Sequence, residues 1–515
     1  MKTKTFLTAC YLILCISNNA AGQNFKEITN KPFDNTGLEV YWTGAAWVDI
    51  DHDGDLDLFL TNRAPEQAPI MNKVLINEGE SFTTSTDHFL AQQAGFWFSV
   101  NIIDYNNDGF TDIYIAGLPG ELYKNLGNSK FEKVSIGDIA KITSAGIASA
   151  WGDLNLDGNL DLVLVRPNWL PLPPFFGPPP PPLVFLNSGA PDYQLEQIDT
   201  NYLPDNETYL QPTLFDFDGD GDLDVFTGMG SGAPKKDVIL INKFKETGSL
   251  TFERDNKSTM SKELLEGNHW SFADIDNDGD FDAFVTNWAV SKNDKNHPKH
   301  NNLFVNKDGF FEKNEDNLLI STYTMSSTFS WGDFDNDGDL DAIEVNDSTY
   351  SLKYFQNDGK GNFNPMLAGD LGKTVKHQSG ITIGDYDNDG DLDVFVPGLG
   401  SQSSLFRNDL ANRNNWVKFE LEGSKSNRSA IAAILYLKSI RGDGTEITQS
   451  REVSGSNTFF GSNSLQQHFG LGKDQTIKEL VIHWPSGARE RFDTFSLNKT
   501  ISIKEGSGTT IIKTD

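Results

Sequence analysis

Nine residues constrain this chain more than any other stretch: Asp385-Tyr386-Asp387-Asn388-Asp389-Gly390-Asp391-Leu392-Asp393. The pattern D-x-D-x-D-G-x-x-D occurs seven times, at steps of 49 to 63 residues. A near-constant period of that size marks a repeat architecture, in which each copy is one structural unit. The first positions are Asp49, Asp104, Asp153, Asp216, Asp274, Asp333 and Asp385. The third are Asp51, Asn106, Asn155, Asp218, Asp276, Asp335 and Asp387. The fifth are Asp53, Asp108, Asp157, Asp220, Asp278, Asp337 and Asp389. The ninth are Asp57, Asp112, Asp161, Asp224, Asp282, Asp341 and Asp393.

That residue set suits a hard divalent cation. Calcium takes roughly 6–8 oxygen ligands, and carboxylates at alternate positions of a tight loop can turn inward together. Glycine at position six permits the turn that a side chain would block. Position seven offers its backbone carbonyl, so its side chain is free to vary among Asp55, Phe110, Asn159, Asp222, Asp280, Asp339 and Asp391. Only position three exchanges a carboxylate for an amide, whose oxygen also coordinates calcium. About seven Ca2+ sites are expected. An EF-hand would add a glutamate at position twelve, and Glu344 alone supplies one. The apolar run after each loop, such as Leu56-Asp57-Leu58-Phe59-Leu60, reads as a strand and not as a helix, so Glu344 is expected on a strand.

These loops resemble the FG-GAP/VCBS repeats of integrin α-chain propellers, over about residues 23–412. The resemblance implies that each loop joins the first two strands of a blade and binds calcium. The rest of each repeat agrees. An aromatic-rich strand leads in, as in Ser330-Trp331-Gly332, and a third strand ends in Asn77, Asn125, Asn187, Asn242, Asn306, Asn357 or Asn408. A turn and a fourth strand follow, as at Lys130–Val134. Four antiparallel strands per repeat predict an all-β, seven-bladed propeller. The seventh copy lacks its fourth strand, and Asn24-Phe25-Lys26-Glu27-Ile28 reads as the missing piece. The N-terminal strand is therefore expected to close the ring.

The loops between second and third strands fall on the face away from the acidic loops. Two are long. One holds Trp169, Phe175 and Phe176 before a proline run, and the other runs from Trp288 to Asn302 with Lys292, Lys295, His297, Lys299 and His300. Long loops often carry function, so they are candidates for a binding rim.

From residue 413 to 515 the repeat gives way to a second, smaller β-sandwich-like domain. Ser426-Asn427-Arg428, Arg451-Glu452-Val453, His468-Phe469-Gly470-Leu471-Gly472 and His483-Trp484-Pro485-Ser486-Gly487 are similar to the ASPIC/UnbV domain. Propeller followed by this domain resembles the cartilage acidic protein family, which implies an exported, calcium-binding protein. One departure is Ala432-Ala433, where the resemblance implies Gly-Ala.

Residues 1–22 read as a signal peptide: Lys2 and Lys4, an apolar run from Phe6 to Ile16, then Ala20-Ala21-Gly22. Cys10 and Cys15 fall inside it, so the mature chain would have no disulfide and ions would take the stapling role. The net charge of −31 argues against nucleic acid or an anionic membrane as partner. No later run matches a membrane-spanning segment. No nucleophile elbow, zinc-protease motif, Walker loop or dinucleotide-binding glycine pattern occurs. Of the histidines, His52 is expected to point outward from its loop, and His468 and His483 to be structural. The sequence thus points to a secreted calcium-binding module for adhesion or protein interaction, with an extracellular protein or glycan as partner. The alternative is a lectin or lyase that uses Trp169, Phe175, Phe176 and Trp288 as sugar platforms.

Overall fold

The second strand of every repeat begins at the ninth loop residue, and that regularity builds the ring. A computed structural model describes residues 24–29, 33, 44–62, 71–79, 81–142, 146–166, 181–199, 207–230, 234–288, 300–321, 325–346, 351–373, 380–398, 402–410, 414–456, 458–473 and 476–511. The leader at 1–22, the rim residues Trp169, Phe175 and Phe176, and Lys292, Lys295, His297 and Lys299 lie outside the described residues.

Seven four-stranded antiparallel sheets form the blades. The first is Ala45–Val48, Asp57–Leu60, Lys73–Asn77 and Phe82–Thr84. The sixth is Ser326–Gly332, Asp341–Asn346, Ser351–Asn357 and Phe363–Met366. Glu344 lies on a strand, as its apolar neighbours require. Blade seven takes three strands from the end of the repeats and its outermost, Phe25–Ile28, from the N-terminus, with Phe25 opposite Asn408. The innermost strands pack against one another in cyclic order, blade one against blade seven included. This closure hides both sheet edges.

Aromatic residues fill the gaps between blades. Trp47 stacks on Tyr386 across the closure with ring centroids 6.0 Å apart. Tyr114 meets Trp151 at 5.3 Å between blades two and three, and Phe215 lies flat on Phe272 at 4.0 Å between blades four and five. Such pairs add roughly 0.5–1.5 kcal/mol each beyond the area they bury.

The C-terminal residues form two further sheets. In one, Asn415–Glu422 lies between antiparallel Gln467–Gly472 and parallel Thr500–Lys504. The other orders Glu446–Glu452, Ile434–Ile440, Thr476–His483, Arg489–Phe492 and Thr509–Thr510. The strand Ile434–Ile440 starts only after a turn in which Ala430 and Ala432 take φ of +54° and +74°. A glycine would suit Ala432 better than the alanine present.

Candidate cation loops and the domain that covers them

Each acidic loop is shaped before any ion arrives. The position-six glycines have φ between +87° and +100°, a region that disfavours side chains. Their N–H groups donate to Oδ2 of the first aspartate at 2.7–3.2 Å in all seven copies. The ninth aspartate braces the blade. Its Oδ1 accepts the backbone N–H of the repeated third-strand asparagine at 2.7–2.9 Å throughout. Its Oδ2 accepts the N–H of loop position two in six blades, and the Tyr354 hydroxyl in the sixth. No ninth aspartate is more than 3% exposed.

Sequence reasoning recorded the asparagines but gave them no task. The structure makes them latches. Asn77, Asn187, Asn242, Asn357 and Asn408 each donate Nδ2 to the position-two carbonyl of the preceding blade, and Asn77 reaches Tyr386 across the closure at 2.7 Å. Position four was likewise missed. It has positive φ in every loop, and Asn107, Asn277 and Asn336 use it to reach the next loop, at Gly158 and Asn159, Asp339, and Gly390 and Asp391. His52, exposed as expected, also packs on Phe110 of the next blade at 5.4 Å and approaches Asn125. Position-seven side chains are not idle: Asp222, Asp280 and Asp391 accept the N–H groups of Lys245, Asp308 and Leu410. Short polar side chains there can fasten one turn to another.

The carboxylates converge. Ligand oxygens of Asp49, Asp51 and Asp53 lie within 4.8 Å of one another, as do those of Asp216, Asp218 and Asp224, of Asp274, Asp276 and Asp278, and of Asp333, Asp335 and Asp337. Buried oxygens of Asp51, Asp220, Asp276, Asp385 and Asp387 have no hydrogen-bond partner. Burial raises Asp57 to about 7, Asp224 and Asp282 to about 8, and Asp112 to about 9. For Asp337, burial and then the charges of Asp335 and Asp333 raise it to about 11. Crowded carboxylates, several with a buried oxygen that lacks a hydrogen-bond partner, fit a hard cation, which would satisfy those oxygens and cancel the repulsion.

The C-terminal domain sits on this acidic face. Gly470 N–H donates to Asp333 Oδ2 at 2.9 Å, Lys418 Nζ lies 2.7 Å from Asp385 Oδ2, and Arg441 pairs with Asp339 at 2.6 Å. His468 Nε2 is 3.0 Å from the Gly390 carbonyl; it is buried, which lowers its pKa to about 3. Ser429 Oγ accepts the Asp104 N–H. His468 is thus structural, as expected. Gly390 lies so close to Trp416 that no Cβ fits.

Residues 455–456 and 458–463 reach the ring axis. Gly455 O accepts from Asn101, Ser456 Oγ donates to Pro212 O, and Thr458 Oγ1 donates to Ile381 O. Phe459 N–H donates to Thr328 Oγ1, and Phe460 O accepts from Val100 N–H. Ser462 pairs with Ala45. Five blades are thereby bonded to one segment, and Phe459 and Phe460 are buried among Phe98, Ala148 and Leu210. A cavity of about 140 Å3 remains beside it, lined by Thr213, Trp270, Ile383, Ser456, Asn463 and His468.

The other C-terminal motifs hold the domain together. Glu505 accepts the N–H groups of Ser424, Lys425 and Ser426 at 2.7–2.9 Å and the Ser486 hydroxyl at 2.5 Å, which keep its pKa down at about 2 despite burial. His483 is half-buried against Tyr436 at 4.7 Å. Burial first, and Arg489 second, lower it to about 4.

Residues 423–510 match the family described as ASPIC and UnbV, and residues 49–115 and 342–396 match the FG-GAP-like repeat. Cartilage acidic protein 1 of Homo sapiens is 21% identical over 524 residues, covering 93% of this chain and 74% of that protein. The Mus musculus protein is 21% identical over 485 residues, covering 86% and 70%. The Xenopus tropicalis protein is 25% identical over 261 residues, but the match spans only 38% of its length and 47% of this chain. A solved structure of an Agrocybe aegerita lectin, described for specific recognition of non-reducing terminal N-acetylglucosamine, has a TM-score of 0.42 at 18% identity, covering 63% of this chain and 79% of the lectin. The chain carries FG-GAP-like repeats and an ASPIC/UnbV domain and is homologous to cartilage acidic protein 1.

Proposed function

We propose that this chain is an exported, calcium-binding propeller that serves as an extracellular adhesion or protein-interaction module, with residues 23–412 as the ring and 413–515 as its cap. The observation that carries the reading is the sevenfold acidic loop, with ligand oxygens brought together in loops one, four, five and six and buried oxygens lacking a hydrogen-bond partner in loops one, four, five and seven, on a backbone already locked by the sixth and ninth residues. The side chains at positions one, three, five and nine would hold Ca2+, together with the position-seven carbonyl. The ion would supply charge neutralisation and a rigid cross-link within the turn. No helix among the described residues is long and apolar enough to cross a membrane.

The cap occupies the acidic face and sends one segment to the axis, so a protein or glycan partner would meet the opposite face or the outer rim. Chelation with EDTA should lower the melting temperature by many degrees, and added calcium should restore it, because an ion that binds only the folded state stabilises it by mass action. A melting temperature that ignores both additions refutes the proposal.

A further inference from the structure

Lys418 belongs to the cap, on Asn415–Glu422, yet its ammonium touches the seventh acidic loop. Nζ lies 2.7 Å from Asp385 Oδ2 and 3.1 Å from Asn388 Oδ1. The two side chains of the pair are 1% and 0% exposed. Asp385 is the first loop residue, and its Oδ2 also takes the Gly390 N–H at 2.9 Å. Its Oδ1 and the Oδ1 of Asp387 are buried and have no hydrogen-bond partner. The lysine therefore holds the outer oxygen of a ligand whose inner oxygen stays available. Among the described residues no other lysine or arginine forms an ion pair with a first-position carboxylate.

We propose that Lys418 sets the calcium affinity of the seventh loop, by placing a fixed positive charge on its first ligand, and so couples that ion to the docking of the cap. The inference rests on the calcium reading above. Ligand charge is a main determinant of calcium affinity in loops of this kind. Loops one, four, five, six and seven each present four carboxylates at positions one, three, five and nine; loops two and three present three, with Asn106 or Asn155 as the fourth side chain. Lys418 cancels one charge in loop seven and brings it to the level of loops two and three.

Other lysines near ligands differ in kind. Lys124 lies 3.3 Å from Asp108 and Lys243 lies 3.6 Å from Asp218, but both are about a quarter exposed or more and are screened by water. The buried Lys418 has no such freedom. Linkage then runs both ways: the factor by which the docked lysine lowers calcium affinity is the factor by which the ion loosens the lysine's hold.

Two experiments on the full chain test this. In calorimetric calcium titrations, K418M, which keeps the aliphatic stem, should bind the same number of ions with one site tightened by about tenfold or more. K438M, which removes an exposed lysine paired with Glu479, should leave the isotherm unchanged. Should K418M fail to fold, wild-type crystals soaked in graded calcium give the same answer: loop seven should fill after loops one, four and five. A folded K418M with an unchanged or weakened isotherm, or a loop seven that fills first, overturns the proposal. A wild-type protein that binds no calcium at all removes the earlier reading and this one together.

Discussion

Loops one and six share one nine-residue pattern and end in opposite surroundings. In loop six Asp333 is 1% exposed, and the cap seals it through Gly470 and Arg441. In loop one Asp53 and Gly54 are exposed, and a cleft of about 420 Å3 opens beside them towards Glu420 and Arg428. Loop four is open too, with Asp218 and Gly219 exposed along a cleft of about 670 Å3 that reaches Tyr436, His483 and Arg489. Carboxylate placement is thus written locally and repeated, whereas access to each loop is decided by cap residues distant in sequence.

The comparison can be broken first at the brace. Asp341→Ala removes the acceptor of the Asn357 N–H and the Tyr354 hydroxyl deep in blade six. Leaving two buried donors unpaired costs roughly 2–5 kcal/mol. Asp57→Ala does the same in blade one, to the Asn77 and Ile50 N–H groups. In calcium, urea melts should show a larger loss for Asp341→Ala, because loop six also carries cap contacts. Equal losses would mean that sealing adds nothing to stability.

A second test uses a buried acid outside the loops. Asp237 accepts from Trp270 Nε1 at 2.8 Å and Met229 N–H at 2.9 Å, and burial raises it to about 7. Its folded value exceeds the unfolded one, so the folded state holds the proton longer. The stability it contributes is complete at low pH and is lost as pH rises through about 7. In saturating calcium, wild-type stability relative to Asp237→Asn should fall between pH 5 and 8. Parallel profiles for the two proteins would refute this.

The smallest effect concerns the cap alone. Ala432→Gly should stabilise the protein by about 1 kcal/mol, since φ of +74° strains an alanine. A thermal melt that moves down instead would show that the turn relies on the methyl group.

Much of this was legible because its signals are periodic. Seven loops, seven asparagines and a missing fourth strand at Asn408 set the ring, its closure by Phe25–Ile28 and the acidic face. What the sequence hid has no period. Gly455 to Asn463 carries no motif that announces five partner blades, and Lys418 is one lysine on an ordinary strand until folding places it on Asp385. The contacts of His52 and of position seven were missed for a related reason: a loop read by itself does not reveal the neighbouring loop it will touch. The charge balance is a weaker trace of the same fact. Residues 413–515 carry 14 basic and 11 acidic side chains in a chain of net charge −31, a fit of opposite potentials between cap and ring.

Calcium release measured by stopped-flow with a fluorescent chelator tests the account most directly, because amplitude counts ions and time course reports access. The account predicts a total near seven ions, as the seven loops require, released in a fast phase from open loops such as one and four and a slow phase from the sealed loops six and seven. A total far below that number, or a single phase shared by all loops, would contradict it.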